Sequence, residues 1–189
     1  MCLLGEGGCG KTTLLRSLAG LEDCRGEVTL VGNNWLDMPL KDREVCDTFG
    51  RDSLDRKKSA AENIVKPLVL RGAGQEEIKE ALKRAARRAD VGDILAEKVK
   101  GLPPYYIAKV ILARAFVRKT NLLLLDEPLS ELTFTQRERV FNRMCRGVRE
   151  LGSRVIYATE RPYEAVCFPA KVGIRYSGAL VQCGSVSEM

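Results

Sequence analysis

The chain contains no histidine, so no step of its chemistry can rest on an imidazole as acid, base or metal ligand. Aromatic residues amount to 6%, with a single tryptophan. None of them interleaves with the basic runs RKK (56–58) and KRAARR (83–88), which leaves nothing there for nucleic-acid bases to stack on. The seven cysteines, at 2, 9, 24, 46, 145, 167 and 183, form no C-x-x-C pair. Their odd number reads as reduced thiols in a cytoplasmic protein and speaks against a zinc site. Long apolar runs are absent too: NLLLLDEP (121–128) falls far short of the roughly 20 residues of a membrane span. The opening MCLLGEGG lacks the basic start of a secretory signal.

What remains is an ordinary globular composition. A length of 189 residues with 45% hydrophobic content suits one domain, or one domain carrying a small subdomain, around a buried core. The net charge of +6 reads as solvated helix faces rather than a nucleic-acid surface, because acidic residues are interleaved with the basic runs.

Against this background one segment stands out. Gly5-Glu6-Gly7-Gly8-Cys9-Gly10-Lys11-Thr12 fits G-x-x-x-x-G-K-[ST], the loop that wraps nucleotide phosphates. Glycines at 5, 7, 8 and 10 open backbone conformations closed to other residues and let amide N–H groups converge on phosphate oxygens. A helix starting near Gly10 turns its positive end to the same place. Lys11 would reach the β- and γ-phosphates and the Thr12 hydroxyl would ligate magnesium, with Glu6, Cys9 and Thr13 completing the binding segment. A phosphate loop needs a carboxylate for its metal, and Asp126 at the end of the run LLLLD is where one belongs. Glu127, next in the chain, is the candidate base for an attacking water. ATP with Mg2+ is the implied ligand.

The surrounding pattern predicts an α/β fold, a P-loop NTPase with a parallel sheet flanked by helices. Residues 2–5, GEVTLVG (26–32), EVCDTFG (44–50), NLLLLD, SRVIYATE and AKVGIRYSGALVQCG read as strands. Leu14, Leu15 and Leu18 mark the inner side of the first helix. From 55 to 119 the pattern is helical: Ile78, Leu82, Ala85 and Ala89 share one helix face, and the double proline at 103–104 fits a helix start. TFTQRERVFNRMCRGVRELG reads as a capped helix with Gly152 beyond its end. The expected division is a nucleotide-binding core of 1–54 and 120–189, with 55–119 as an inserted helical subdomain.

At LLLLDEPLSEL the chain resembles the ATP-binding-cassette (ABC) ATPase subunits, particularly those of carbohydrate importers. The similarity extends through GNNWLDMPLKDREV, AAENIVKPLVLRG, ILARAFVR and the closing GALVQCGSVSEM. It implies an ABC-type fold and a head-to-tail dimer, homo- or heteromeric, sandwiching two ATP molecules. It also implies a transmembrane permease as partner and a cytoplasmic location at the inner face of the membrane. Several family positions are altered. Where the family has L-S-G-G-Q, the chain has Leu102-Pro103-Pro104-Tyr105-Tyr106, and two prolines offer no N–H to a phosphate across the dimer. The glutamine-loop position is Gly50, the aspartate after the acidic strand is Thr133, and the switch histidine is Glu160, whose carboxylate would repel a γ-phosphate. The family's strands upstream of the loop, with their adenine-stacking aromatic residue, have no counterpart in the chain. The resemblance therefore implies weakened nucleotide binding and slow hydrolysis, or a non-catalytic structural or regulatory subunit paired with an intact ATPase or permease.

Overall fold

The computed structural model describes residues 1–30, 32–39, 43, 45–48, 54–118 and 120–188. It divides into two compact units, one formed by Met1–Asp47, Thr120–Glu127 and Arg154–Met189, the other by Thr48–Lys119 and Pro128–Ser153.

The first unit is built on a six-stranded sheet in the order β4-β5-β6-β1-β7-β8, from β1 (Cys2–Leu4), β4 (Val45–Asp47), β5 (Leu122–Asp126), β6 (Arg154–Thr159), β7 (Val172–Tyr176) and β8 (Ala179–Gly184). Every pairing is parallel except β7 with β8, which closes one edge as an antiparallel pair. The four leucines of β5 are buried, as an apolar run in a parallel strand demands. Each contributes about 1.5–3 kcal/mol by leaving water.

Helix α1 (Lys11–Ala19) follows β1 and packs on β4, β5 and β6. It buries Leu15 and Leu18, leaves Leu14 half-buried, and ends on Gly20 in the left-handed region at φ 76°, the usual helix stop. Trp35 is buried and its indole Nε1 donates to the Leu18 carbonyl at 2.8 Å, satisfying one orphan acceptor of the helix end. The strand expected over 26–32 is shorter than its β-branched pattern suggests. Thr29–Leu30 (β2) pairs with Asn33–Asn34 (β3) in a small antiparallel hairpin, with Gly26 and Gly32 both at positive φ beside it. Helix α6 (Pro162–Cys167) packs on β1 and β6.

The second unit is helical. Helices α2 (Ala60–Val69), α3 (Gln75–Ala89) and α4 (Pro104–Phe116) surround a core that includes Ile64, Ala85, Val91, Val110 and Ala113. Ala85 and Ala89 of the expected α3 face are buried, while Ile78 and Leu82 pack against the same core part-buried. A capping box starts α2: the Glu62 amide donates to Ser59 Oγ at 3.2 Å and the Ser59 amide to Glu62 Oε2 at 2.8 Å. The Thr133 side chain and Gln136 form a second box at the head of α5 (Phe134–Leu151), which stops at Gly152 with φ 67°. Helix α5 packs against α3 and α4; a Cβ at Gly147 would lie 2.7 Å from the Phe116 ring, so α4 and α5 approach each other there more closely than any larger residue allows. The chain 49–53, which includes the glutamine-loop position Gly50, lies outside the described residues.

Among the described residues, no helix is long and apolar enough to cross a membrane.

Candidate functional site

Parallel strands end on the same side of a sheet, and the loops leaving those ends share one edge. Here Leu4 of β1 is level with Thr159 of β6, and Asp126 of β5 with Ala158 of the same strand. The glycine loop after β1, the acids ending β5 and Glu160 after β6 therefore converge. They enclose a cavity of about 370 Å³ lined by Gly7, Gly8, Gly10, Lys11, Thr12, Thr13, Asp126, Glu127 and Glu160. Of the residues expected in the binding segment, Gly5, Glu6 and Cys9 lie outside this lining and act through the backbone.

The loop is held open from several directions. Gly5 N donates to the Thr159 carbonyl at 3.2 Å, fastening the loop's first residue to β6. Gly8 and Gly10 take positive φ of 77° and 89°, a region that disfavours side chains. A Cβ on Gly5 would sit 2.5 Å from the Arg175 carbonyl oxygen and 2.6 Å from the buried Cys9 thiol. The guanidinium of Arg175, on β7, donates through Nε to the Cys9 carbonyl at 3.0 Å and through a terminal nitrogen to the Gly178 carbonyl at 2.8 Å. Arg175 is a positioning residue that the sequence reading missed. Its only local signal is a cation in the apolar strand VGIRY, and register rather than motif brings it to the loop.

Lys11 is buried, yet its ammonium faces the cavity. It donates to the Gly5 carbonyl at 2.7 Å and the Glu6 carbonyl at 3.0 Å, and pairs with Glu127 Oε1 at 3.0 Å. Glu160 Oε1 stands 3.8 Å away. Glu127 takes φ 42°, and its amide donates to the Ala158 carbonyl at 3.1 Å. A left-handed glutamate is a strained backbone kept where the surroundings over-determine it.

Burial raises the Asp126 carboxyl above its ordinary range, opposed by a hydrogen bond with the Thr12 side chain and by the charge of Lys11. A carboxyl raised in the folded state binds its proton more tightly there than in the unfolded chain. Its contribution to stability is thus present at low pH and lost as pH rises from the ordinary carboxylate value through the raised one. Asp126→Asn removes this cost, so the metal-free variant should melt at a higher temperature than wild type at neutral pH, and the gap should close on acidification. Calorimetric melts at two pH values check it.

The residues present fit magnesium and a phosphate chain. Thr12 and Asp126 already touch through a hydrogen bond, which sets a hydroxyl and a carboxylate on one spot. Among the described residues, no group of three or more acidic or cysteine side chains could hold a metal ion alone. A Cβ at Gly5 would meet Cys9 and the Arg175 carbonyl, and one at Gly10 the Arg175 guanidinium, so the loop keeps this shape only with glycine at those positions.

In the helical unit the double proline begins α4 as expected, with Pro103 as its N-cap and Pro104 as its first residue. The two tyrosines fold back along the helix. Their rings meet edge to face at 5.3 Å, and the Lys109 ammonium lies 5.0 Å and 5.4 Å from the two centroids while pairing with Asp90 at 2.9 Å.

A family model described as ABC transporter matches residues 1–130. The trehalose/maltose import ATP-binding protein MalK of Thermococcus litoralis is 34% identical over 196 residues, covering 100% of this chain and 53% of its own. The diacetylchitobiose uptake system ATP-binding protein MsiK of Streptomyces coelicolor is 33% identical over 190 residues, covering 100% of this chain and 50% of its own. The chain thus spans about half the length of the curated relatives it matches. Among solved structures, an ATP-binding cassette dimer in a post-hydrolysis state with ADP and phosphate matches with TM-score 0.83 at 21% identity, over 98% of this chain and 84% of that one. The structure of cbiO1 from Clostridium perfringens, part of the ABC transporter complex cbiONQ, matches with TM-score 0.87 at 20% identity, over 99% of this chain and 77% of that one. The fold is that of the P-loop ATPase cassettes, and the chain belongs to the ABC transporter family.

Proposed function

We propose that the chain is an ATP-binding subunit of a carbohydrate-type importer, binding Mg-ATP at the glycine loop with weakened hydrolysis. The observation that carries this reading is the convergence of the Lys11 ammonium, the glycine amides and the Thr12–Asp126 pair on one cavity. In this reading Lys11 exchanges its Glu127 contact for phosphate oxygens, the amides of Gly7 to Thr13 hold the remaining oxygens, and Thr12 with Asp126 holds the metal. Magnesium supplies charge neutralisation between the phosphates when bound. Glu127, released from Lys11, orients a water and takes its proton. The similarity to sugar-import ATP-binding proteins supports import as the process. A permease partner, a cassette dimer and a place at the inner face of the membrane follow from the same resemblance. The helical unit around α2 to α4 would be the inserted subdomain.

A second reading, a non-catalytic subunit paired with an intact cassette, is favoured by a specific observation: the family's switch histidine is here a carboxylate 3.8 Å from Lys11. The two readings separate in one assay. Nucleotide binding is measured directly, and turnover is measured for the protein alone and after addition of an intact cassette. The active-subunit reading expects slow turnover that Glu127→Gln abolishes. The non-catalytic reading expects binding with no turnover that depends on Glu127. Absence of binding removes both.

A further inference from the structure

The described lining of the cavity is net negative before any metal binds. It presents one cation, Lys11, against three carboxylates, Asp126, Glu127 and Glu160. Two of these have work in the proposed function, Asp126 toward the metal and Glu127 toward water. Glu160 has none, and it occupies the approach to the loop. Its Oε1 would lie 3.0 Å from a Cβ on Gly7, so the carboxylate hangs directly over the segment whose amides would receive an anion. An ammonium has three donors, and those of Lys11 are matched by the Gly5 and Glu6 carbonyls and by Glu127. Glu160, at 3.8 Å, makes no hydrogen bond with it; it is simply a negative charge held at close range. A phosphate can displace Glu127 by taking its donor. Glu160 makes no hydrogen bond with Lys11, so it is not displaced in that exchange.

We infer that Glu160 is a specificity-determining residue that makes this a diphosphate-preferring site, one that holds a nucleoside diphosphate more tightly than the matching triphosphate. The inference rests on the nucleotide-binding reading above. Any anion that accepts from Lys11 is drawn close to the Glu160 carboxylate, and the repulsion grows with the total charge of the phosphate chain. A triphosphate carries one phosphate more than a diphosphate and brings the extra charge toward the Lys11 end of the cavity. The side chain of Glu160 is 48% exposed, so the repulsion is partly screened and falls with added salt. At the effective dielectric of a half-exposed site, such a pair is worth about a tenfold difference in affinity.

The test compares ADP with β,γ-imido adenosine triphosphate, both with magnesium, by calorimetric titration of wild type, Glu160→Gln and Glu160→Ala. Wild type should bind ADP about tenfold more tightly than the imido triphosphate, and the preference should shrink as salt is raised. Both variants should bring the ratio close to one, by tightening the triphosphate and leaving ADP nearly unchanged. A wild-type preference for the triphosphate overturns the inference, and so does a ratio that is the same in all three proteins. Those results leave nucleotide binding itself standing. Failure of wild type to bind either nucleotide overturns the underlying reading and this one with it. Should a variant not fold, the wild-type ratio and its salt dependence decide alone.

Discussion

Lys11→Ala should abolish measurable Mg-ATP binding while leaving the sheet unit folded. The lysine is the one cation of the described cavity lining, and it enters from the first residue of α1 with its stem buried. Replacing it removes charge-assisted hydrogen bonds to phosphate, worth roughly 1.5–3 kcal/mol each. Two such bonds correspond to about a hundredfold loss of affinity or more. The structural effect runs differently. In the absence of nucleotide the ammonium ties together the Gly5 and Glu6 carbonyls and Glu127. Alanine leaves those carbonyls to water in an open cavity, a modest cost, but it also leaves Glu127 beside Asp126 and Glu160 without its counter-charge. A small fall in melting temperature at low salt, recovered at high salt, is the expected companion of lost binding. Titration calorimetry against Mg-ATP, with melts of the same samples, checks both. Equal affinity in variant and wild type would remove Lys11 from the site and the nucleotide reading with it.

The strand-loop-helix at the start of the chain could be read from residues because its determinants are local. Glycines at fixed offsets, a lysine one residue on and leucines at helical spacing all lie within a few residues of each other. The same holds for β5, whose leucine run ends in Asp126, and for α5, whose Thr133 and Gln136 box and Gly152 stop are short-range. Strand length was less legible. GEVTLVG has the composition of a full strand, but pairing decides how much of it is extended, and its described ladder covers only Thr29–Leu30 with Asn33–Asn34. By size alone, the tyrosines of the altered signature would crowd a phosphate approach. Their engagement with Lys109, one helical turn on, adds a local partner that size does not reveal. Arg175 and Glu164 were not found because their meaning comes from register. Arg175 meets Cys9 across 166 positions of sequence, and no period in either segment announces it.

Glu164→Ala should cost the fold about 3 kcal/mol, and the reason ties stability to the site. Glu164 is buried at the start of α6, and its Oε2 accepts from both the Tyr157 and Thr159 hydroxyls. Burial, and then the charge of Glu164, push the Tyr157 hydroxyl well above its ordinary pKa, so it stays protonated and can donate to Glu164. Alanine removes the acceptor of two buried hydroxyls at once, at roughly 1–3 kcal/mol for each hydrogen bond lost. The Thr159 hydroxyl also accepts from the Arg161 amide at 3.1 Å, and the Thr159 carbonyl accepts from Gly5. One side chain therefore anchors the end of β6 from which the phosphate loop is hung and from which Glu160 projects. Denaturant titration should give a large fall for Glu164→Ala. The fall should be smaller when Tyr157→Phe and Thr159→Val are made in the same chain, because the orphaned donors are then gone. Additive losses in the triple variant would show that the carboxylate acts by packing rather than by receiving those two protons. Under the hydrogen-bonded account, Glu164→Ala also weakens nucleotide binding even where the protein remains folded, since the loop loses the fixed strand end that presents it.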